Sequence, residues 1–412
     1  MWVWLEPLDV LLFRDSRPFT GGEIHRARSL FPPSPLTFQG AIRSLLFQNI
    51  LGKNGKSFDH LAKQLRDKNE DPEVAEAVRI LGGAEGFGNF QLLGPFLAKR
   101  QGNLEKVSIE NIFFPPPLDL FQKENGKQFL TISPLQHSFP HVSFDPGSKG
   151  GLSLLWCEEK EARPVADFWL TKENLLAYLK GDVSNVARES SKALYVREER
   201  FGIELKDGTR TVEIGKLYMA EFIRLEKNHG FLVRVDISGG SDDLLAPLRE
   251  GVLQLGGEAR ACLYRSLEDD PLAGFDSPLG GGEEFFKLYL ATPAIFTKGW
   301  LPDFLEPSSL EGEVDGVQVR LVAAAVGKPM YIGGWDLAHN VPRELYPAVP
   351  PGSVYLFEIS YGDAEKVKEI FHGRTKLQEL GKQGEQYLCE LAKIGFGLTF
   401  VGRWNYWEVK NV

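Results

Sequence analysis

Residues 385–404, EQYLCELAKIGFGLTFVGRW, decide the fold, because a helical pattern leads there through a glycine loop into a strand. EQYLCELAK predicts a helix, and the apolar run LTFVGRW predicts a strand. Residues 244–266, LLAPLREGVLQLGGEARACLYRS, show the same order, with glycines again between the helical pattern and the strand. We therefore predict that helix, glycine loop and strand form a unit that occurs twice in the chain.

The segments between the two copies add three more strands. FFKLYLATPAIF at 285–296, DGVQVRLVAAAVG at 315–327 and SVYLFEIS at 353–360 have strand patterns. The order strand, helix, two strands, helix, strand is the βαββαβ ferredoxin-like plan. The sequence thus predicts an α+β fold.

The predicted domains are both ferredoxin-like and follow one another along the chain. The first spans residues 1–273, with insertions at about 52–82 and 100–195, and the second spans residues 285–412. The glycine-rich segment 274–284 is the predicted linker.

The N-terminal region predicts a bent strand over residues 1–13 and a helix over residues 36–51. Thr37 is its predicted N-cap. An apolar face is expected from Phe38, Ala41, Ile42, Leu45 and Leu46. Gln39 and Arg43 are expected on the opposite face, where a partner could reach them.

Composition restricts the possible functions. Of 412 residues, 43% are hydrophobic and 25% charged, the balance of an ordinary soluble globular protein, and the net charge is −9. That charge argues against a stand-alone nucleic-acid binder. Residues 14–43, however, contain five arginines against Asp15 and Glu23, a net charge of +3. This segment could be a local RNA-binding face or a solvated charged loop, and the sequence allows both interpretations.

With no long apolar run and no basic leader, a cytoplasmic protein without a membrane segment is expected.

Catalytic and metal-binding patterns are scarce. Cys157, Cys262 and Cys389 lack CxxC spacing, and the sequence has no GxGxxG, GxxxxGK[ST], HExxH or GxSxG motif. GGSDD at 239–243 resembles the metal-binding GGDD turn of polymerase palms, but Ser241 interrupts it. We expect no metal and no cofactor. His25, in an arginine-rich loop, is the one candidate general base.

Binding motifs are more evident. Trp335 follows Gly333 and Gly334 and could stack on a nucleobase or contact a partner, although a buried tryptophan in a tight turn fits equally. Glycine loops lie beside Arg260 and Arg403, where backbone N–H groups could approach phosphates. A bulged or closely packed strand also explains such glycines.

Eight segments together resemble a known family. In chain order they are PLDVLLFRDSRPF, FPPSPLTFQGAIRS, GKLYMAEFIRL, LQLGGEARA, ATPAIFTKGWLPD, YIGGWDLA, AVPPGSVYLFE and GFGLTFVGRW. They are similar to the third subunit of the Cmr module of type III-B CRISPR systems, a protein of the RAMP superfamily. The similarity is weak over residues 52–82 and 140–190.

The resemblance implies a non-catalytic subunit. Such a subunit binds the 5′ handle of CRISPR RNA and links the large polymerase-like subunit to the backbone RAMP subunits. The residues expected to contact RNA are Arg14, Arg17, His25, Arg26, Arg28, Gln39, Arg43, Gly256, Gly257 and Arg260. The glycine-rich loops expected to shape a partner surface contain Gly333, Gly334, Trp335, Gly395, Gly397, Gly402 and Arg403.

Two alternatives remain from the sequence. The chain could be a metal-independent endoribonuclease that processes CRISPR RNA, with His25 as general acid or base and Arg26 or Arg28 beside the scissile phosphate. It could also be an adaptor that contacts only proteins.

Overall fold

The computed structural model describes residues 1–15, 25–52, 55, 58–67, 71–83, 86–104, 106–123, 128–135, 151–184, 186–187, 189–205, 212–239, 242–336, 339–381 and 385–406. No helix in these ranges is long and apolar enough to cross a membrane. The chain divides into two compact units, each built from three segments. Unit 1 comprises Met1–Glu110, Ser191–Asp270 and Tyr331–Tyr346. Unit 2 comprises Asn111–Ser190, Pro271–Met330 and Pro347–Val412.

Strands and helices follow one another in this order. The first part of the chain forms β1 (Trp2–Pro7), β2 (His25–Ala27), α1 (Pro35–Gly52), α2 (Phe58–Asp67), α3 (Pro72–Leu81), β3 (Phe90–Gln101) and β4 (Ser108–Phe114). Next come β5 (Leu120–Gln122), β6 (Phe129–Thr131), β7 (Ser133–Pro134), β8 (Leu155–Trp156), β9 (Arg163–Pro164), β10 (Phe168–Thr171), α4 (Lys172–Leu179) and β11 (Glu189–Ser190). The middle of the chain forms β12 (Tyr195–Leu205), β13 (Val212–Leu225), β14 (His229–Ile237), β15 (Glu250–Gln254) and β16 (Ala261–Leu267). The last part forms β17 (Phe285–Leu290), β18 (Glu311–Val314), β19 (Val317–Ala325), β20 (Met330–Ile332), β21 (Trp335–Asp336), β22 (Val341–Pro342), β23 (Tyr346–Ala348), β24 (Val354–Tyr361), α5 (Ala364–Phe371), α6 (Lys376–Glu379), α7 (Gln386–Glu390) and β25 (Thr399–Gly402).

The main sheet of unit 1 is built around β1. Strand β1 pairs antiparallel with β14 on one edge and β16 on the other, which gives the order β3, β14, β1, β16, β15. Residues 2–5 are all buried, so this strand has apolar side chains on both faces, as expected of a central strand. Gly230 of β14 allows the close packing here, because a Cβ on it would lie 2.4 Å from the Leu5 carbonyl oxygen.

Helix α1 covers one face of this sheet. Phe38 packs edge-on against Phe231 of β14, with ring centroids 5.1 Å apart, and Phe13 contacts both rings. Ser34 precedes the helix, and its Oγ accepts the Leu36 N–H at 3.3 Å. The N-cap predicted at Thr37 is therefore wrong: the helix begins earlier, at Pro35, a residue favoured in the first turn because it needs no N–H partner.

A second, smaller sheet in unit 1 is the long hairpin of β12 and β13, with β2 parallel to β13 at its edge. The apolar residues Val10, Leu12, Ala27, Ala220 and Phe222 form a core cluster here. Through the bridge between Leu11 and Ile223, the chain that continues from β1 joins this sheet as well. One N-terminal segment thus contributes to both sheets, as the predicted bent strand requires.

Unit 2 contains a five-stranded antiparallel sheet in the order β18, β19, β24, β17, β25. Phe286 of β17 stacks on Phe357 of β24, with centroids 5.1 Å apart, and on Phe371 of α5 at 6.4 Å. Helix α5 is amphipathic, and Asp363 is its N-cap: the Asp363 Oδ1 accepts the Glu365 N–H at 3.0 Å. The core of this unit lies between the sheet and this helix.

The two sheets share one strand order. The four strands compared are β1, β3, β14 and β16 in unit 1, and β17, β19, β24 and β25 in unit 2. When the four strands of each unit are numbered in chain order, their order across the sheet is 2-3-1-4 in both units, and all neighbouring strands are antiparallel. Unit 1 has a long helix after its first strand, and the described residues between its third and fourth strands form two short 3₁₀ turns, Asp242–Leu244 and Ala246–Leu248, and strand β15. Unit 2 has no helix in the described stretch after its first strand but has α5, α6 and α7 before its fourth.

The predicted repeat holds in only one of its two places. Residues 386–402 form helix α7, a 3₁₀ turn, a glycine loop and β25, as expected. The helix predicted for LLAPLREGVLQ is wrong, since this segment forms a 3₁₀ turn and then strand β15. Pro247 and Gly251 disfavour a continuous helix there. The glycines of LGGEAR therefore close a hairpin between β15 and β16.

The compact units divide the chain differently from the predicted domains. Residues 111–190, predicted as part of an insertion in the first domain, pack in unit 2. Residues 331–346, predicted in the second domain, pack in unit 1. The later boundary, after Asp270, lies close to the predicted one after residue 273.

Three buried polar side chains attach the segment 111–190 to the sheet of unit 2. The Tyr178 hydroxyl of α4 donates to Asp119 Oδ1 at 2.6 Å, and Lys287 Nζ of β17 lies 3.5 Å from the centroid of the Tyr178 ring. Asp119 and Lys287 are each 2% exposed. Burial lowers the pKa of Lys287 to about 8, although the charge of Asp119 opposes the shift. Burial also raises the pKa of Asp119, against the charge of Lys287 and the Tyr178 hydrogen bond.

We expect Lys287→Met to lower the free energy of unfolding by about 3–5 kcal/mol, because it leaves the buried Asp119 without a cation. Lys287→Met combined with Asp119→Asn should cost clearly less than the sum of the two single changes. Urea unfolding of the four proteins measures this double-mutant cycle. Additive effects would show that the two groups do not interact.

Candidate functional site

A cleft of about 1460 Å³ lies within unit 1. Its wall is formed by the end of the bent N-terminal strand, one side of α1, the turn after α3, the β15–β16 hairpin and the segment around β21 and β22. The charged residues among its described lining are Arg14, Asp15, Arg43, Asp336 and Arg343. The cleft is therefore only weakly basic, and most of its polar groups are amides, hydroxyls and backbone.

Arg14 lies at the edge of this cleft with an exposed side chain. Its backbone bridges Ser29. The buried Ser29 hydroxyl in turn donates to the Glu221 carbonyl at 2.6 Å and accepts the Phe13 N–H at 3.2 Å. These bonds hold the backbone on either side of the Arg14–Ser29 bridge.

Gln39 and Arg43 also line the cleft, but they are not on an exposed face of α1. Gln39 is 8% exposed and Arg43 is 9% exposed, so the predicted polar face is wrong and both pack inside the fold. Arg43 donates to Gln39 Oε1 at 2.9 Å and to the carbonyls of Gly82 and Gly83 at 2.8 and 3.1 Å. Its guanidinium lies over the Phe87 ring, 5.2 Å from the centroid. Arg43 therefore joins α1 to the end of α3, and contact with RNA stays a prediction.

Gly256 and Gly257 bring the β15–β16 hairpin against the N-terminal strand. The Gly257 N–H donates to the Leu12 carbonyl at 2.8 Å, and a Cβ on Gly256 would lie 2.5 Å from the same oxygen. The φ of Gly256, +79°, also favours glycine. These glycines shape the cleft wall, whether or not they approach a phosphate.

Arg260, next to this turn, belongs to an ion-pair network and is not part of the cleft lining. It pairs with Glu258 at 2.8 Å and Asp9 at 3.6 Å and stacks over Phe222 at 4.9 Å. Arg224 and Arg200 bind Asp9 too. Burial would raise the pKa of Asp9, but a hydrogen bond from the Val10 backbone and the charges of Arg200 and Arg224 hold it below its ordinary value. Arg260 therefore has acidic partners within the chain, and its role toward RNA stays a prediction.

Trp335 is not the buried tryptophan that the alternative interpretation allowed. It is 53% exposed, lines the cleft, and begins the small hairpin of β21 and β22. Its Nε1 donates to Asn340 Oδ1 at 3.2 Å, which fixes the ring.

Burial would raise the pKa of Asp336, but hydrogen bonds from His339 and the charge of Arg343 hold it below its ordinary value.

The glycines predicted at 395–402 are buried in unit 2. A Cβ on Gly397 would lie 2.7 Å from Gln378 Cβ, and one on Gly402 would lie 2.8 Å from the Leu179 carbonyl. Gly395, with φ +93°, ends the 3₁₀ turn before β25. Arg403 pairs with Glu283 at 2.6 Å. In the described structure these glycines serve close packing.

The structure does not describe some of the predicted site residues, and it describes others only in part. Arg17 lies outside the described residues, and so do the side chains of His25 and Arg26, whose backbone forms β2. Arg28 is exposed, its carbonyl accepts the Asp15 N–H at 2.9 Å, and it is not part of the cleft lining. GGSDD lies partly outside as well, since residues 240 and 241 are not described. Within the described ranges, no group of three or more His, Cys, Asp or Glu side chains could hold a metal ion.

Sequence reasoning missed Arg343 and Gln254, both in the cleft wall. Arg343 follows the weak hairpin strand β22, and its N–H donates to the Gly334 carbonyl at 2.9 Å. Only recognition of the hairpin around Trp335 could have placed Arg343 beside it. Gln254 was assigned to a helix, so its position on an edge strand could not be inferred.

Comparison with solved structures gives distant similarity over most of the chain. A chain of the cryo-EM structure of the type III-B Cmr-beta complex bound to cognate target RNA and AMPPnP is 16% identical, with 96% of this chain and 95% of that chain covered and a TM-score of 0.49. A chain of the crystal structure of the Csm3–Csm4 subcomplex of the type III-A CRISPR-Cas interference complex is 14% identical, with coverage of 88% and 93% and a TM-score of 0.32.

Comparison by sequence is more decisive. No curated protein matches the chain. The profile of one family, described as "CRISPR-associated protein (Cas_Cmr3)", matches residues 3–404. This match spans both compact units, from β1 to the residue after Arg403. The chain therefore belongs to the Cas_Cmr3 family of CRISPR-associated proteins.

Proposed function

We propose that the chain is a non-catalytic subunit of a type III-B CRISPR effector complex, where it binds the 5′ handle of CRISPR RNA. In this proposal it links the large polymerase-like subunit to the backbone RAMP subunits. The observation that carries the proposal is the family match over residues 3–404. The cleft in unit 1 supports it, because Arg14, the glycine hairpin and Trp335 meet there although they are far apart in the sequence.

The proposed RNA site is the cleft, not the whole basic segment. Single-stranded RNA is recognised through splayed bases, aromatic stacking and arginines on the phosphates. The cleft offers an exposed guanidinium on Arg14 and an exposed indole on Trp335. Arg43 is buried, and Arg260 lies outside the described cleft lining.

The finer architecture is part of the proposal. We infer that both units derive from a ferredoxin-like domain, because both sheets have the order 2-3-1-4 with all strands antiparallel. Unit 1 then keeps the first helix of the βαββαβ plan and unit 2 the second.

We expect Arg14→Glu to weaken binding of the handle RNA about tenfold, because it replaces a phosphate contact by a repulsive charge. The measurement is nuclease protection of the 5′ end of CRISPR RNA by the chain in complex with the large subunit, with the affinity read from a titration. Arg249→Glu is the matched control, since Arg249 is also exposed but lies outside the cleft lining. Equal effects of both changes, or a footprint away from the 5′ end, would contradict the cleft assignment. Failure of the two subunits to associate would contradict the linking role.

Arg43→Met should act on stability. It leaves the carbonyls of Gly82 and Gly83 without their donor, so we expect a loss of about 2–3 kcal/mol in the free energy of unfolding. Urea unfolding measures this loss. The folded variant should bind the handle within about twofold of the unchanged chain. A large loss of affinity with unchanged stability would give Arg43 a direct contact with RNA.

The competing enzymatic hypothesis has a separate test. We expect the isolated chain to leave repeat RNA intact in the presence of EDTA, followed on a denaturing gel. The proposal treats His25 as a non-catalytic residue, so His25→Ala should change nothing. Cleavage in EDTA that His25→Ala abolishes would establish the metal-independent endoribonuclease in its place.

A further inference from the structure

We propose that Trp335 is the stacking surface for one unstacked nucleobase of the bound RNA, an inference that rests on the proposed function. The cleft would then recognise a splayed base more than a run of phosphates. The occupant is a nucleobase of a single strand, and Asn340 acts as a positioning residue that holds the indole.

Trp335 is the most exposed of the tryptophans that the structure describes. It is 53% exposed, against 44% for Trp156 and 38% for Trp300, whereas Trp2, Trp4, Trp169 and Trp404 are buried. A large aromatic side chain gains most of its stabilisation from burial, so an indole left in solvent inside a cleft is not explained by packing. Such an indole is a surface on which a ligand ring can stack.

The local backbone presents this indole in a fixed position. Trp335 pairs with Pro342 across the small hairpin, and its Nε1 donates to Asn340 Oδ1. Because the ring N–H is used within the hairpin, what remains for a ligand is the ring face. The preceding Gly334 adds no bulk beside it, and a Cβ there would meet only Arg343 Cδ, at 3.7 Å.

The charge of the cleft favours a base over phosphates. Its described lining has three arginines and two aspartates, and the guanidinium of Arg43 is bound to Gln39 and two carbonyls. The other polar side chains of the wall are neutral, among them Thr37, Ser44, Gln48 and Gln254. Amides and hydroxyls can read the hydrogen-bonding edge of a base that is stacked on an aromatic ring.

A protein segment is the competing occupant, since Tyr331, Val341 and Leu345 of the same region are also exposed. Two observations favour RNA: the indole lies in a concave cleft, and Arg14 lies in the same cleft with an exposed side chain. Tyr331, Val341 and Leu345 are not part of the described cleft lining.

The experiment uses the full chain, alone and in complex with the large subunit. The probe is the 5′ handle as a single-stranded oligoribonucleotide, with the fluorescent base 2-aminopurine replacing each base in turn. We expect strong quenching at one position, which Trp335→Leu abolishes and Trp335→Phe largely retains. Trp335→Leu should also weaken binding about 5- to 150-fold, which corresponds to the roughly 1–3 kcal/mol of one base stacked on an aromatic ring.

Two further readouts distinguish stacking from a structural effect. Asn340→Ala should weaken binding less than Trp335→Leu and broaden the quenching to neighbouring positions. The slope of log affinity against log salt should be shallow, about −1 to −1.5, because few phosphates are neutralised, and Trp335→Leu should leave that slope unchanged. The matched control is Trp300→Leu, which removes a tryptophan that is 38% exposed and lies outside the cleft lining, and it should change none of these values.

Each contrary result has a different meaning. Unchanged affinity and quenching in Trp335→Leu would overturn the stacking inference and leave RNA binding intact. Loss of association with the large subunit at unchanged RNA affinity would overturn it as well and make this hairpin a protein contact. Absence of any handle binding by the unchanged chain, alone and in the complex, would contradict the proposed function itself.

Discussion

Burial of strand β1 on both faces and along both edges is the constraint on which unit 1 depends. Residues 2–5 have no solvent-facing side, and the backbone groups on each edge are taken by β14 and β16. Because the same segment continues past Pro7 to Arg14, the position of β1 in the sheet also fixes where the cleft wall begins. The central strand of the sheet and one wall of the cleft thus both belong to residues 2–14.

Close backbone contact then completes the cleft. The Leu12 carbonyl meets the turn at Gly256 and Gly257 so closely that any side chain at Gly256 would collide with it. The glycines of unit 2 do similar work elsewhere, against Gln378 and Leu179. A glycine-rich loop in this chain therefore marks tight packing first, and the cleft is where packing and a solvent-exposed surface coincide.

Much of the fold could be predicted because its signals are local. The bent first strand, α1 and β24 all follow from hydrophobic periodicity. The helix predicted for LLAPLREGVLQ was wrong because a short apolar run is compatible with both a helix and an edge strand. Pairing with β16, which is a tertiary contact, makes this segment a strand. The buried position of Arg43 could not be predicted, since its partners Gly82 and Gly83 lie about forty residues further on.

The residues of the candidate site could be predicted only in part, because here too the deciding contacts are not local. Trp335 and the glycine pairs stand out in the sequence, but nothing local shows that they share one cleft with Arg14. Arg260 looked equally suitable by sequence, and only the structure shows its pairing with Asp9 and Glu258.

The contacts of Arg43 bear on how this family can change in evolution. The region of α2 and α3 looked like a peripheral addition, yet the end of α3 supplies the carbonyls that hold a buried guanidinium of α1. A lineage that shortened this region would leave the Arg43 guanidinium with Gln39 Oε1 but without the carbonyls of Gly82 and Gly83. The end of α3 and Arg43 are therefore coupled, and a change in one alters the surroundings of the other.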